Sequence, residues 1–502
     1  MFGFSRIRGG VHPESHKEDS AGKPIVTDLP LPKRLYLPLF QQAGAMALPL
    51  VKPGDKVLKG QQLAITGEGL SANLHAPTSG TIIGVEEIIA PHPSGLNSAA
   101  IVLESDGEDR WMELPDESDP FQRSPEELAS EVERAGIVGL GGAIFPSAIK
   151  LRQGRRFEIK TLIINGGECE PYLTTDDQLM RERAAEVVEG ARLIQHIIEA
   201  YETVIGIEDN KPEAIAAMRE AAAPYGKVRV EVVPALYPMG SAKQLIKAIT
   251  GLEVPAGGRS NDLGVLVHNV ATAYAIQQTL RYGKPLISRV LTLAGGSLNE
   301  ARNVEALFGT PIQHLIDHCG GISSQPARLV MGGPMMGQQL PAATVPVMKG
   351  TSGVLALTQK EVNDKTPSNC IRCSRCVQVC PMGLVPLEMA KHAKADNFEE
   401  ASSYGLRDCI LCGSCSYVCP SRIPLVNYFE YAKGEMKQRR VAEHKLAYTQ
   451  QLTARRSERV EREAEAKRAA KAAKKKRAKA PKAEAASTPE PATTSDTAEK
   501  ES

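Results

Sequence analysis

The spacing of apolar residues changes several times along the 502-residue chain, and those changes divide it. Between about 124 and 280, short apolar runs (Thr161 to Ile164, Val228 to Val233, Gly264 to Val267) alternate with stretches of helical period (Pro125 to Ala135, Arg183 to Ala200, Pro212 to Ala222). That alternation predicts an α/β domain built on an open sheet. From about 40 to 105, brief β-rich runs are broken by turns such as Lys52-Pro53-Gly54-Asp55 and Pro77-Thr78-Ser79-Gly80, which predicts a small β-domain. Residues 288 to about 335 predict a second small β-containing unit, and Leu384 to Ala395 and Asn397 to Ser403 predict helices. From His444 to Lys479 the chain is rich in helix formers but has few large apolar residues to bury, so a solvated tail, helical or disordered, is expected. The expected fold class is multidomain α+β, divided as 1–123, 124–285, 286–345, 364–430 and 441–502.

Charge and composition narrow the function. With 60 Lys and Arg against 59 Asp and Glu, the net charge is +1, which argues against a chain that works by bulk attraction to nucleic acid. The charge is nonetheless unevenly placed, because Lys467 to Lys482 holds nine basic residues and no acid. No aromatic follows Tyr448, so stacking on single strands by that tail is unsupported and no nucleic acid is expected. Aromatics are 4% of residues, with Trp111 the single tryptophan, too few for a sugar- or base-stacking platform. The most apolar segment, Tyr36 to Val51, is broken by Pro38, Gln41, Gln42 and Pro49 and falls short of the roughly 18 residues a spanning helix needs. Met1 to Val11 has Arg6 and Arg8 but no apolar core, so it does not read as a signal peptide. A cytosolic or peripheral protein is expected, and in that compartment ten cysteines call for chemistry other than disulfides.

Eight of the ten supply it. Cys370, Cys373, Cys376 and Cys380, followed by Pro381, repeat at an offset of 39 residues as Cys409, Cys412, Cys415 and Cys419, followed by Pro420. Spacing of this kind wraps three thiolates of one run around a [4Fe-4S] cluster, and the fourth cysteine serves the other cluster. The predicted ligand sets are Cys370, Cys373 and Cys376 with Cys419, and Cys409, Cys412 and Cys415 with Cys380. Zinc ribbons use two separated pairs of cysteines rather than triplets with a fourth before proline. Cys169 and Cys319 lie outside the runs and are read as small buried hydrophobes.

Two segments upstream have the character of a ligand site. Gly139-Leu140-Gly141-Gly142-Ala143-Ile144-Phe145-Pro146-Ser147 leads into a helix carrying Lys150, and a glycine-rich turn at a helix start offers backbone N–H groups to a phosphate. The spacing is not that of the usual dinucleotide fingerprint. After the strand at Thr161 comes Asn165-Gly166-Gly167-Glu168-Cys169-Glu170-Pro171, polar residues at a strand end where α/β sheets bind ligands.

These two segments, with Asn269-Val270-Ala271-Thr272, resemble the flavin-binding, NADH-oxidising subunit of respiratory complex I. With the cysteine repeat, the turn Gly9-Gly10-Val11-His12-Pro13 and a β-domain resembling biotinyl and lipoyl carriers, the body to about residue 435 resembles the C subunit of the Rnf/Rsx electron transport complex. The β-domain has no Lys between Lys59 and Lys150, so it has the barrel-sandwich fold without a cofactor arm. Ser288 to Gly337 is similar to a small β-grasp domain of the same relatives, and its turn Met331 to Gly337 is read as packing.

The resemblance implies FMN held by Gly139, Gly141, Gly142, Asn165 and Asn269, and NADH as substrate. Phe145 would stack on the nicotinamide, Lys150 would bind its phosphates, and Glu168 and Glu170 would lie nearby. The sequence departs from complex I at Gly167, where an Asp belongs, and at Gly240-Ser241-Ala242-Lys243, where acidic residues give way to Lys243 at the cofactor. A flavin converts paired electrons into single ones, and two clusters carry them onward. The implied partners are membrane subunits of the same complex and ferredoxin or another one-electron protein. The implied place is the cytoplasmic face of the bacterial inner membrane, peripherally bound. A soluble NADH-linked flavin and iron–sulfur module of a dehydrogenase or hydrogenase is the alternative.

Overall fold

Four parallel strands carry the centre of the molecule. In the computed structural model, which describes residues 7–67, 69–90, 94–115, 119–362 and 365–478, they lie in the order Val228–Val233, Glu202–Glu208, Thr161–Gly166, Val265–Asn269. Leu162, Ile163, Ile164, Val204, Ile205 and Ile207 are all fully buried, so the two inner strands read as continuous apolar runs rather than as alternation. Helices Ala184–Ile198, Pro212–Ala222, Ala242–Thr250 and Val270–Tyr282 accompany the sheet. Register fixes the site: Asn165 pairs with Asn269, so two asparagines end neighbouring strands side by side.

The N-terminal β-domain consists of a four-stranded sheet (Arg34–Pro38, Asn97–Ser105, Gly80–Ile89, Lys56–Val57) and a three-stranded one (Leu48–Pro49, Gln62–Ile65, Leu74–His75). Leu35, Leu37, Leu63, Leu74, Ile82, Ile101 and Leu103 are buried in its core. The segment before Arg34 belongs elsewhere, because Val11 bridges to Tyr237 and Val26 to Val304.

The second β unit is a five-stranded mixed sheet in the order Arg302–Leu307, Ser288–Ala294, Gly353–Leu357, Arg328–Met331, Gln338–Gln339. Its central strand, Gly353–Leu357, lies beyond the expected boundary at 345. That strand is buried at every position and so lacks the alternation that marks a sheet edge or face in sequence. Lys349 joins three domains: its fully buried ammonium donates to the carbonyls of Asn73 and Gly136, both at 2.8 Å. Desolvation brings its pKa down to about 7.

Short helices Arg375–Gln378 and Ser414–Tyr417 sit within the cysteine runs, with Pro386–Lys394 and Phe398–Ser403 between them. The helix Leu425–Ala478 closes the described chain. Residues to Lys433 pack as one unit and those from Gly434 form another, in which every described residue from Lys437 onward is exposed. The expected tail is therefore helical as far as Ala478, and the end of its basic run, residues 479–482, lies outside the described residues. Among the described residues no helix is long and apolar enough to cross a membrane.

Candidate functional site

The two cysteine runs make the same turn twice. Arg372 and Leu411 take left-handed φ values of 54° and 57°, as do Ser374 and Gly413 at 60° and 80°, and a short helix follows each time. Cys370, Cys373, Cys376 and Cys419 line one cavity of about 270 Å³. Cys380, Cys409, Cys412 and Cys415 line a second, smaller one. Each cavity thus takes three cysteines from one run and the fourth from the other.

The surroundings of the two cavities differ. Cys370 and Cys373 are exposed, whereas Cys412 and Cys415 are buried among Pro381, Met389, Ile410 and Phe429. Burial pushes the Cys409 thiol up to about 11, helped by the neighbouring Cys412 and Cys380 thiols, and raises Cys412 and Cys415 as well. Two quartets of soft cysteine donors, each drawn three from one run and one from the other, fit iron–sulfur clusters.

The glycine loop is closed on itself and anchored to the sheet. Gly139 N–H donates to the Phe145 carbonyl at 2.8 Å, and Leu140 N–H donates to Thr272 Oγ1 at 2.9 Å. Gly141 lies so close to Asn269 that an added Cβ would stand 2.9 Å from the asparagine Cβ. Gly142, at φ 107°, is exposed and faces open space. Asn269 caps the helix Val270–Tyr282 by accepting from Ala271 N–H at 2.9 Å, and its Nδ2 donates to Asp176 Oδ2 at 2.7 Å. Asn165 donates to the Gly240 carbonyl at 2.8 Å and accepts from Gly167 N–H at 2.9 Å. Gly139, Gly141, Gly142, Asn165 and Asn269 therefore share one rim at the carboxyl edge of the sheet. The loop, open over Gly142, fits a flavin phosphate.

Four expected contacts sit otherwise. Glu168 is buried and caps the helix Thr175–Glu182, accepting from Thr175 Oγ1 at 2.7 Å, Asp176 N–H at 3.0 Å and Asp177 N–H at 3.2 Å. Its charge is absorbed by the positive end of that helix rather than turned to a nicotinamide. Glu170 accepts from Met335 N–H at 3.0 Å and Met336 N–H at 2.9 Å, and so fastens the Met331–Gly337 turn to the sheet. Burial raises its pKa to about 7. Lys150 turns its ammonium inward to the Val267 carbonyl, where desolvation lowers its pKa to about 8, so it does not reach outward for phosphates. Lys243 stands 3.8 Å from Asp408, the residue before Cys409, and so borders the cysteine domain rather than the glycine loop. Phe145 stays at the loop, half-buried.

Sequence reasoning did not anticipate what joins the rim to the cysteines. Gly240 N–H donates to Cys169 Sγ at 3.3 Å, and the Tyr237 hydroxyl donates to the Cys412 carbonyl at 2.5 Å. Val11, Tyr237 and Cys412 form a buried group against which Cys169, Met335 and Ile410 pack. A motif search finds none of this, because the partners are up to 175 positions apart.

Four family models match successive stretches of the chain. Residues 5–108 match the RnfC barrel sandwich hybrid domain, 132–278 the Nuo51 FMN-binding domain, 290–339 the SLBB domain and 363–443 a 4Fe-4S dicluster domain. The C subunit of the ion-translocating oxidoreductase complex of Rhodobacter capsulatus is 49% identical over 439 residues, covering 87% of this chain and 84% of that one. The protein of the same name from Klebsiella pneumoniae (strain 342) is 45% identical over 462 residues, covering 92% of this chain and 61% of that one. Among solved structures, an NAD+-reducing [NiFe]-hydrogenase in the H2-reduced state aligns over 63% of this chain and 61% of its own, at 16% identity and a TM-score of 0.45. On the Rhodobacter match, the chain belongs to the family of C subunits of ion-translocating oxidoreductase complexes.

Proposed function

We propose that this chain is the electron-input subunit of its complex, accepting a hydride from NADH at a bound FMN and passing electrons singly through two [4Fe-4S] clusters to a redox partner. The observation that carries the reading is the sorting of eight cysteines into two cross-run quartets, one of them packed through Tyr237 and Cys169 against the glycine-loop rim. When bound, FMN supplies the exchange between paired and single electrons, and the clusters supply one-electron carriage.

The chain's own residues do the holding. Gly139, Gly141 and Gly142 keep the loop thin enough for a phosphate to approach the backbone, and Asn165 and Asn269 offer amide groups at the strand ends. Asp176 orients Asn269. Phe145, on the loop, would stack on the nicotinamide. The cluster ligand sets are Cys370, Cys373, Cys376 with Cys419, and Cys409, Cys412, Cys415 with Cys380. The place of action is the cytoplasmic face of the inner membrane, reached by docking on membrane subunits of the complex. Ferredoxin or another one-electron protein is the counterpart in the electron exchange.

Anaerobic purification with iron, sulfide and flavin analysis, followed by an NADH titration, tests the reading. About eight iron per chain, one FMN, and bleaching of both flavin and cluster absorbance by NADH are expected. Zinc in place of iron, or a flavin that NADH leaves oxidised, overturns it.

A further inference from the structure

The two cysteine turns have the same backbone and opposite surroundings. Arg372 stands where the second run has Leu411, and Arg375 where it has Ser414. Leu411 reaches the same left-handed φ as Arg372, and Ser414 opens its short helix as Arg375 does. The turn itself therefore requires arginine at neither position.

The cavity of the second run is lined by apolar side chains besides its cysteines. That of the first run has four cations at its edge, Arg372, Arg375, Lys391 and Lys394, and no carboxylate among its lining residues. All four are exposed. Lys391 shares its charge with Glu388 at 3.4 Å, and Lys394 lies over the Tyr428 ring at 4.6 Å, but neither guanidinium forms an ion pair with a described residue. Ile371, which lines the same cavity, is 68% exposed, whereas Ile410, its counterpart in the repeat, packs into the buried group around Cys412. An exposed apolar side chain in company with cations has the make-up of a protein interface rather than of a solvated surface.

We propose that the mouth of the Cys370 cavity is the docking site of an acidic one-electron carrier protein, whose carboxylates surround its own redox centre and meet Arg372, Arg375, Lys391 and Lys394. This rests on the reading of the quartets as clusters. The buried quartet then lies on the flavin side, and the exposed one delivers electrons outward. Unpaired surface guanidiniums contribute little to folding stability, whereas their field raises the encounter rate with a partner of opposite charge.

The test uses the full-length holoprotein, reduced with dithionite so that neither NADH nor the flavin is needed. Stopped-flow mixing with an oxidised acidic ferredoxin, and separately with a cationic cytochrome c, is followed across ionic strength for the wild type and the Arg372→Glu/Arg375→Glu variant. With the ferredoxin, the wild-type rate should fall as salt rises, and the variant should be slower at low salt by about tenfold or more, with a flattened salt dependence. With cytochrome c the variant should be no slower. Iron content and cluster EPR should be unchanged.

A wild-type rate with ferredoxin that ignores salt overturns the proposal. So does an equal loss with both carriers together with a shifted cluster potential, because the cations would then serve the cluster. Loss of sedimentation with anionic vesicles at an unchanged ferredoxin rate would assign the surface to lipid instead. If NADH fails to reduce the wild-type protein, the electron-input reading falls, while the dithionite experiment still decides the surface.

Discussion

Tyr237 donates its hydroxyl to the carbonyl of Cys412 at 2.5 Å, so a loop that borders the flavin-site rim and the buried cysteine turn share one hydrogen bond. Tyr237 is buried, and Tyr237→Phe would leave that carbonyl without its donor. A loss of about 1–3 kcal/mol in unfolding free energy is expected. Iron content should stay near the wild-type value, because no ligand is removed. Chemical denaturation under anaerobic conditions, with iron analysis of the native protein, checks both halves.

Gly141→Ala probes the rim directly. The new Cβ would stand 2.9 Å from the Asn269 Cβ, closer than real side chains pack, so the loop must move away from the strand end. A destabilisation of about 1–3 kcal/mol and weaker FMN retention are expected, with cluster content unchanged. Flavin release during gel filtration measures it, and a variant that keeps its FMN as firmly as the wild type would remove the loop from the site.

Cys419 gives the sharpest test of the cross-run pairing. It belongs to the second run in sequence but lines the cavity of the first. Cys419→Ser should therefore disturb the same EPR signal as Cys376→Ser and leave that of the other cluster. Pairing within runs predicts the opposite, with Cys419→Ser resembling Cys409→Ser.

Much of this was legible before the fold. The cysteine repeat carries its own geometry, because closely spaced thiols can wrap only a nearby cluster. The strands at Thr161 and Val228 announced themselves as apolar runs, and the Pro212–Ala222 helix as a periodic stretch opened by proline. Glu168, Lys150 and Lys243 were harder. A motif says which residue types meet a cofactor, but burial decides whether a charged group faces it or is spent on a helix start or a carbonyl. The Gly353–Leu357 strand escaped because full burial erases alternation.

Glu170 makes stability depend on pH. Its pKa is raised to about 7, chiefly by burial, against an ordinary value of 4.5. The native state therefore holds a proton that the unfolded chain releases, and this group's contribution is full below 4.5 and lost as pH rises through about 7. Glu170→Gln carries no such titration. The difference in melting temperature between wild type and variant should move in favour of the variant between pH 5.5 and 8. A constant difference over that range would mean that Glu170 titrates normally.

The tail offers a choice between anchor and appendage. Its basic run begins at Lys467, within a helix whose described residues beyond Met436 are all exposed and seldom large and apolar. From Lys467 to Ala478 the helix carries no large apolar side chain, so that stretch can bind only through charge. Charge alone attracts a peptide to an anionic leaflet by about 1 kcal/mol per basic residue near the surface, and salt screens it. A folded face can bury apolar area and keep its hold in salt, and the exposed Ile371 lies on the body rather than the tail. Deleting residues 441–502 should therefore leave flavin, clusters and co-purification with the membrane partners intact, with at most a salt-sensitive loss of membrane retention. A truncated chain that keeps its clusters but no longer co-purifies would make the tail the anchor.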